Sequence, residues 1–387
     1  SNHFNNNSAS AGSTKSAAYL LQTGGSYVQI AESNIFSANT SYLDGGGLYF
    51  EHNAVAAVSV KGNYFYKNTC TDPACGGGAG LYYRGGNMAY TIRYNTFVSN
   101  NSAGTSASGG GMLLNLGGYT SANATVQENY FYQNTASVSG GGLFITAVAS
   151  PASTLKLNRF TGNGAQNGGA LALSSGGKNF LIQQNTFTDN TASANGGTIY
   201  LGISTNNGNT FSRNYFSNAT GGVFNGVIYD SAAGNSNTWT GNAFSITGVT
   251  TIFVNNGDST AYSIAANWWG QTVTGASCDA LTPATGICST TAAGNPSFAA
   301  QLSSAPNLCS AVPGDAACVG AQAFDEAGRG VVRQGHDLCL RTRRAKRGVG
   351  VSLRCSARSA CLRPPAAPYP PASSTAVGAS PSTSSRT

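Results

Sequence analysis

The sequence predicts an all-β fold: a right-handed parallel β-helix of about ten coils, followed by a disordered C-terminal tail. Three observations carry that expectation. An Asn-x-aromatic string recurs with its Asn at 2, 34, 63, 95, 129, 158, 185, 214, 242 and 267, at intervals of 32, 29, 32, 34, 29, 27, 29, 28 and 25 residues. Most intervals hold a glycine cluster that runs into an apolar strand, as in Gly109-Gly110-Gly111-Met112-Leu113-Leu114 and Gly140-Gly141-Gly142-Leu143-Phe144-Ile145. Only 9% of residues are charged, 51 of 387 are glycine and 41% are hydrophobic. That balance disfavours helix, which Gly, Asn, Ser and Thr support poorly, and also disfavours simple disorder.

Each part of the coil has a physical reason. An apolar residue stands three positions before each Asn, as in Val60, Ile92, Val126, Leu155 and Ile182. A long polar residue follows it at Glu32, Lys61, Arg93, Gln127, Lys156 and Gln183. This alternation is a strand with one face inward. Asn tolerates the left-handed region, so the chain is expected to bend at Asn34, Asn63, Asn95, Asn129, Asn158 and Asn185. Phe36, Phe65, Phe97, Phe131, Phe160 and Phe187 then turn inward two residues later. The glycines serve the next corner, where positive φ or close backbone approach is needed. An average near 29 residues, from those same intervals, suffices for three short strands and three turns. Stacked coils would lay Asn on Asn and Phe on Phe at about 4.8 Å. Helical repeats are excluded by the Gly-Gly-Gly runs, and no Leu-based repeat consensus occurs.

The repeat covers residues 1–275, begins inside a coil and is expected to lack N-terminal sequence. Residues 276–320 are read as a Cys-containing cap, and 321–387 as a basic, Pro/Ser/Ala-rich disordered tail. Charge divides the same way. Residues 1–320 hold nine Lys/Arg and ten Asp/Glu (9 − 10 = −1), and residues 321–387 hold eleven and three (11 − 3 = +8), giving the net +7. The basic character lies in the tail, so no nucleic acid is expected as a partner of the folded body. No run of eighteen apolar residues occurs, and no transmembrane helix is expected.

The string Phe-x-x-Asn stands at Phe4–Asn7, Phe36–Asn39, Phe65–Asn68, Phe97–Asn100, Phe131–Asn134, Phe160–Asn163 and Phe187–Asn190. Paired with Gly-Gly-aliphatic, it resembles the repeats of the chlamydial polymorphic outer membrane proteins, and the chain is similar to the wider pectin-lyase-like β-helix superfamily. Asn267-Trp268-Trp269-Gly270 resembles a string near the ends of many extracellular β-helices and is read as a last coil or cap. The first resemblance implies a surface-exposed, adhesin-like passenger domain. The second raises polysaccharide cleavage.

Cleavage would need clustered carboxylates or a calcium site. The acids of the body are scattered, and the one-coil pairs Asp44/Asp72 and Asp230/Asp258 are read as solvated turn residues. His3, His52 and His336 are isolated, so neither a metal site nor a cofactor is expected. The remaining candidate is the outward row Lys61, Arg93, Gln127, Lys156 and Gln183, on which a polysaccharide could lie along the axis. Close cysteine pairs, Cys70/Cys75, Cys278/Cys288 and Cys309/Cys318, suggest local disulfides and an oxidising compartment. Sequons occur at Asn6, Asn39, Asn100, Asn123 and Asn218, with Asn123 in a predicted loop the best acceptor. The expectation is an extracellular or cell-surface adhesin, coat or matrix element without catalysis, with polysaccharide or a host or cell-surface protein as partner. The alternatives are a polysaccharide lyase or hydrolase of the pectin-lyase-like class, or a glycan-binding module.

Overall fold

The computed structural model describes residues 2–9, 18–22, 29–52, 57–85, 89–117, 123–146, 153–174, 177–202, 208–217, 227–230, 237–245, 253–255, 267 and 288–290. The chain divides into two units, Ser1–Asp337 and Leu338–Thr387, and every described residue lies in the first. The fold is an all-β parallel solenoid, with no helix among the described residues.

Each coil visits four sheets in turn. The first sheet has eight strands, from Gln29–Glu32 to Thr238–Thr240. The second has nine, from His3–Asn5 to Ala243–Ser245. The third has six, from Thr40–Ser41 to Thr191–Asn195, and the fourth has ten, from Ala18–Gln22 to Cys288–Thr290. Two expectations are corrected here. A complete coil has four strands rather than three, and among the described residues about six coils are complete, not ten, as the six-stranded third sheet sets the count. The fourth sheet also runs past residue 275, where the solenoid was expected to end. The rest of 276–320 and all of 321–387 lie outside the described residues, as do Trp268 and Trp269.

Two asparagine ladders hold the coils together. In the first, Nδ2 of each Asn donates to Oδ1 of the Asn one coil on, from Asn2 through Asn34, Asn63, Asn95, Asn129, Asn158, Asn185, Asn214 and Asn242 to Asn267 at 2.9–3.2 Å. From Asn63 onward the same Nδ2 reaches back to a backbone carbonyl of the preceding coil, as Asn129 does to Ile92 at 2.9 Å. Each amide thus bonds the coils on both sides of it. The second ladder runs Asn7, Asn39, Asn68, Asn100, Asn134, Asn163, Asn190 at 2.9–3.0 Å. Between them the Phe rings from Phe4 to Phe244 stack with centroids 4.6–5.0 Å apart and planes within 11°.

The bend is not at Asn but one residue earlier. Ser33, Tyr94, Glu128, Leu157, Gln184 and Arg213 have φ of 55–58°, and glycine takes the place at Gly62 and Gly241. Every Asn of the first ladder from Asn63 to Asn267 is instead an inward, buried residue whose side chain satisfies the corner's backbone. Left-handed backbone costs a non-glycine residue roughly 1–2 kcal/mol, and the ladder bonds offset that cost. The glycine clusters do as expected at one position: the first glycine of each, Gly45, Gly78, Gly109, Gly140, Gly168 and Gly196, has φ of 57–67°.

Candidate functional site

The corner between the first and second sheets carries the candidate row. Strand register places Glu32 beside Lys61, Lys61 beside Arg93, Arg93 beside Gln127, Gln127 beside Lys156 and Lys156 beside Gln183. Each is the last residue of its strand in the first sheet. Five steps of about 4.8 Å make the row about 24 Å long.

Several members are engaged with one another. Lys61 Nζ lies 3.8 Å from Glu32 Oε1, a pair whose side chains are 49% and 42% exposed and therefore weak. Arg93 Nε donates to Glu128 Oε2 at 2.9 Å, and its guanidinium lies 4.3 Å from the centre of the Tyr94 ring. Gln127 Nε2 donates to Glu128 Oε1 at 3.3 Å. Lys156, Gln183 and, further along, the exposed Arg213 extend the ridge. Arg159 opens the facing strand of the second sheet and stands 5.4 Å over the Tyr130 ring.

Among the described residues, five of eight Lys/Arg lie on this corner: Lys61, Arg93, Lys156, Arg159 and Arg213. Only Glu32 and Glu128 of seven Asp/Glu do, so the ridge carries 5 − 2 = +3. The sequence alone concealed Glu128 and Tyr94, because 34 residues separate them. The available signal was that both immediately precede a ladder Asn and so share one corner row.

Chemistry at Arg93, Tyr94 and Glu128 follows from their proton affinities. Burial pushes the Glu128 carboxyl up, but hydrogen bonds from Arg93 and Tyr94, with the Arg93 charge, outweigh it and leave the group below the ordinary carboxylate value. A general acid needs the opposite shift. Burial and the Glu128 hydrogen bond raise Tyr94, which removes it as a base near neutrality. The arrangement can hold an anionic or hydroxylated ligand, and Glu128 stays ionised as the anchor for Arg93.

The other singled-out residues are placed as follows. Asp44 Oδ1 accepts from Gly76 N of the next coil at 2.8 Å, and Asp72 Oδ1 accepts from Ala74 N within its own turn at 2.7 Å. Asp230 corrects the expectation of a solvated turn residue. It is fully buried in the strand Ile228–Asp230, in register with Leu201, and accepts from Asn237 Nδ2 at 3.2 Å. Asp258 lies outside the described residues. Among the described residues no three His, Cys, Asp or Glu gather as a metal-binding group.

Cys70 and Cys75 form a disulfide and are buried against Ala107. Of Cys278, Cys288, Cys309 and Cys318, only the Cys288 backbone is described. The sequon residues Asn39 and Asn100 are fully buried in the second ladder. Asn123 is exposed but begins the strand Asn123–Gln127 rather than lying in a loop.

No protein family, curated protein or solved structure matches this chain.

Proposed function

We propose that the protein is an extracellular or cell-surface β-solenoid with an adhesive, coat or matrix role, and that it contacts polysaccharide along the corner between its first and second sheets. The observation that carries this reading is the axial row of cations and cation-covered tyrosines, with a net +3 on the ridge while the other described residues carry three Lys/Arg and five Asp/Glu (3 − 5 = −2). A row along the axis offers equivalent contacts at each coil, which suits a polymer better than a small molecule. The Cys70–Cys75 bridge is in keeping with an oxidising compartment. The recurring Phe-x-x-Asn and Gly-Gly-aliphatic strings support kinship with the chlamydial polymorphic outer membrane protein repeats and the pectin-lyase-like superfamily, in which a right-handed helix is expected.

A second reading, a carbohydrate-active enzyme of the pectin-lyase-like class, is favoured by the carboxylate of Glu128 beside Arg93. The lowered proton affinity of Glu128 argues against it as a general acid. One experiment separates the readings. The chain is titrated with polyuronate, sulfated and neutral glycans, with and without calcium, while cleavage products are followed. Salt-sensitive binding to acidic glycans that weakens on Lys156→Ala and Arg213→Ala, without cleavage, is expected. Cleavage abolished by Glu128→Gln would replace the adhesive reading with the enzymatic one, and no glycan binding at all would overturn the ridge.

A further inference from the structure

We propose that two tyrosine pairs on the outer face of the second sheet frame a slot for one sugar ring of an acidic polysaccharide. This rests on the polysaccharide reading above and names the place where a ring, rather than a charge, is held. Tyr64 and Tyr66 point outward on either side of the buried Phe65, and Tyr130 and Tyr132 do the same around Phe131. Both pairs share one geometry, with ring centroids 5.9 Å and 5.7 Å apart and planes at 22° in each.

Between the pairs lies the strand Thr96–Val98. Thr96 is in register with Tyr64 and Tyr130, and Val98 with Tyr66 and Tyr132. Large, small and large side chains on three successive coils leave a gap whose walls stand two coil steps, about 9.6 Å, apart. Tyr64 is 37% exposed, and the other three rings, Thr96 and Val98 are half-buried, so the gap is open to solvent. A flat group sandwiched between two aromatic faces needs only about 7–8 Å, twice the carbon–carbon contact distance. The extra width suits a puckered sugar ring, whose C–H faces pack on the electron-rich faces of tyrosine. Among the described residues the slot occurs once: Tyr215, three coils beyond Tyr130, has Ser217 where a second ring would stand.

Charge complementarity selects the kind of sugar. Arg159, the register partner of Tyr130 one coil on, stands over that ring at 5.4 Å and donates Nε to Thr161 Oγ1 at 3.3 Å. One face of Tyr130 is thereby covered, and the other turns back towards Thr96. Lys67 stands over the Tyr66 ring at 5.1 Å, and among the described residues no carboxylate pairs with it. Lys61 ends its strand three residues before Tyr64, so an exposed lysine flanks each end of that wall. No Asp or Glu stands at an outward position on the described strands of the second sheet. A sugar that carries a carboxylate therefore meets cations at the slot and no opposing acid.

The test titrates the full chain with a polyuronate and with its carboxyl-reduced, neutral counterpart. Tyr64→Ala and Tyr130→Ala should each weaken polyuronate binding about two- to tenfold, the worth of one aromatic contact. Thr96→Tyr repeats its register neighbours and fills the slot, so it should weaken binding as much although it adds a ring. Tighter binding by Thr96→Tyr would overturn the slot. If all three variants bind like the unaltered chain while Lys156→Ala still weakens binding, the slot falls and the ridge stands. No polyuronate binding by the unaltered chain overturns both, and equal affinity for the neutral counterpart overturns the acidic class. Saturation-transfer NMR on the unaltered chain needs no variant: transfer from tyrosine ring protons to sugar C–H protons supports the slot, and its absence in a bound complex refutes it.

Discussion

Replacing Asn129 by alanine measures what the first ladder contributes. The residue is 2% exposed. Its Oδ1 accepts from Asn95 N at 2.9 Å and Asn95 Nδ2 at 3.0 Å, and its Nδ2 donates to the Ile92 carbonyl at 2.9 Å and Asn158 Oδ1 at 3.0 Å. Alanine deletes all four bonds. Some neighbours keep other partners: Asn95 Nδ2 still reaches the Val60 carbonyl at 2.8 Å, and Asn158 Oδ1 still accepts from the residue 129 amide at 2.9 Å. The Asn95 backbone N–H loses its acceptor inside the core, and a buried orphan donor costs about 1–3 kcal/mol. The left-handed corners at Tyr94 and Glu128 also lose their brace. We expect a total loss of about 2–4 kcal/mol.

Asn129→Asp keeps the shape and should be worse near neutrality, since it turns a carboxylate oxygen toward two acceptors. Its folded pKa must rise above the unfolded value of about 3.9, so the deficit is smallest below that pH and grows as pH rises through it. Asn2→Ala, at an exposed ladder end, is the control with little effect. Urea unfolding followed by far-UV circular dichroism reads the series. A loss below about 0.5 kcal/mol for Asn129→Ala, a surface-like value, would refute the bracing role.

Two further expectations are direct. Phe131→Ala removes a ring stacked at 4.7 Å on Phe97 and 4.6 Å on Phe160, and should cost about 3–5 kcal/mol in the same assay; a smaller loss for Phe131→Leu would show that packing, not the backbone, is responsible. The Glu128 carboxyl lies below its ordinary 4.5, so its contribution is present above that pH and is lost as pH falls through the folded value; Glu128→Gln should flatten hydrogen exchange in peptides 89–98 and 123–132 across that acid window, and an unchanged slope would remove Glu128 as the Arg93 anchor.

The parallel solenoid was legible because two buried positions per coil, Asn and Phe, tolerate almost no substitution once they must stack on copies of themselves. The left-handed corner was harder to place. Its residue is Ser33, Tyr94, Glu128, Leu157, Gln184 or Arg213, a set with nothing in common except the absence of β-branched side chains. Steric conflict at positive φ excludes that class and little else, so the signal is a gap rather than a motif. The third sheet escaped notice because strands such as Thr69–Cys70 and Asn101–Ser102 are two residues long, too short to show alternation. Asp230 was misread since an acid in an inward column of Leu173 and Leu201 breaks the binary pattern, and its partner Asn237 cannot be inferred from spacing. Likewise, the Arg93–Glu128 contact spans two coils and has no local mark in the chain.

The ladders also dictate how the described solenoid bears tension. Force applied along the axis acts parallel to the interstrand hydrogen bonds and to every Nδ2–Oδ1 bond, and the coil interfaces carry it in series, so the weakest of them, at an end, opens first. A terminal coil should therefore peel away while the rest stays intact. Each release frees roughly 29 residues, the mean ladder interval, or about 100 Å of slack at about 3.5 Å per residue. Extension would proceed as a sawtooth of small, similar steps. A filament that yields in this way dissipates a sudden pull without parting, and it can rewind coil by coil onto the template that remains.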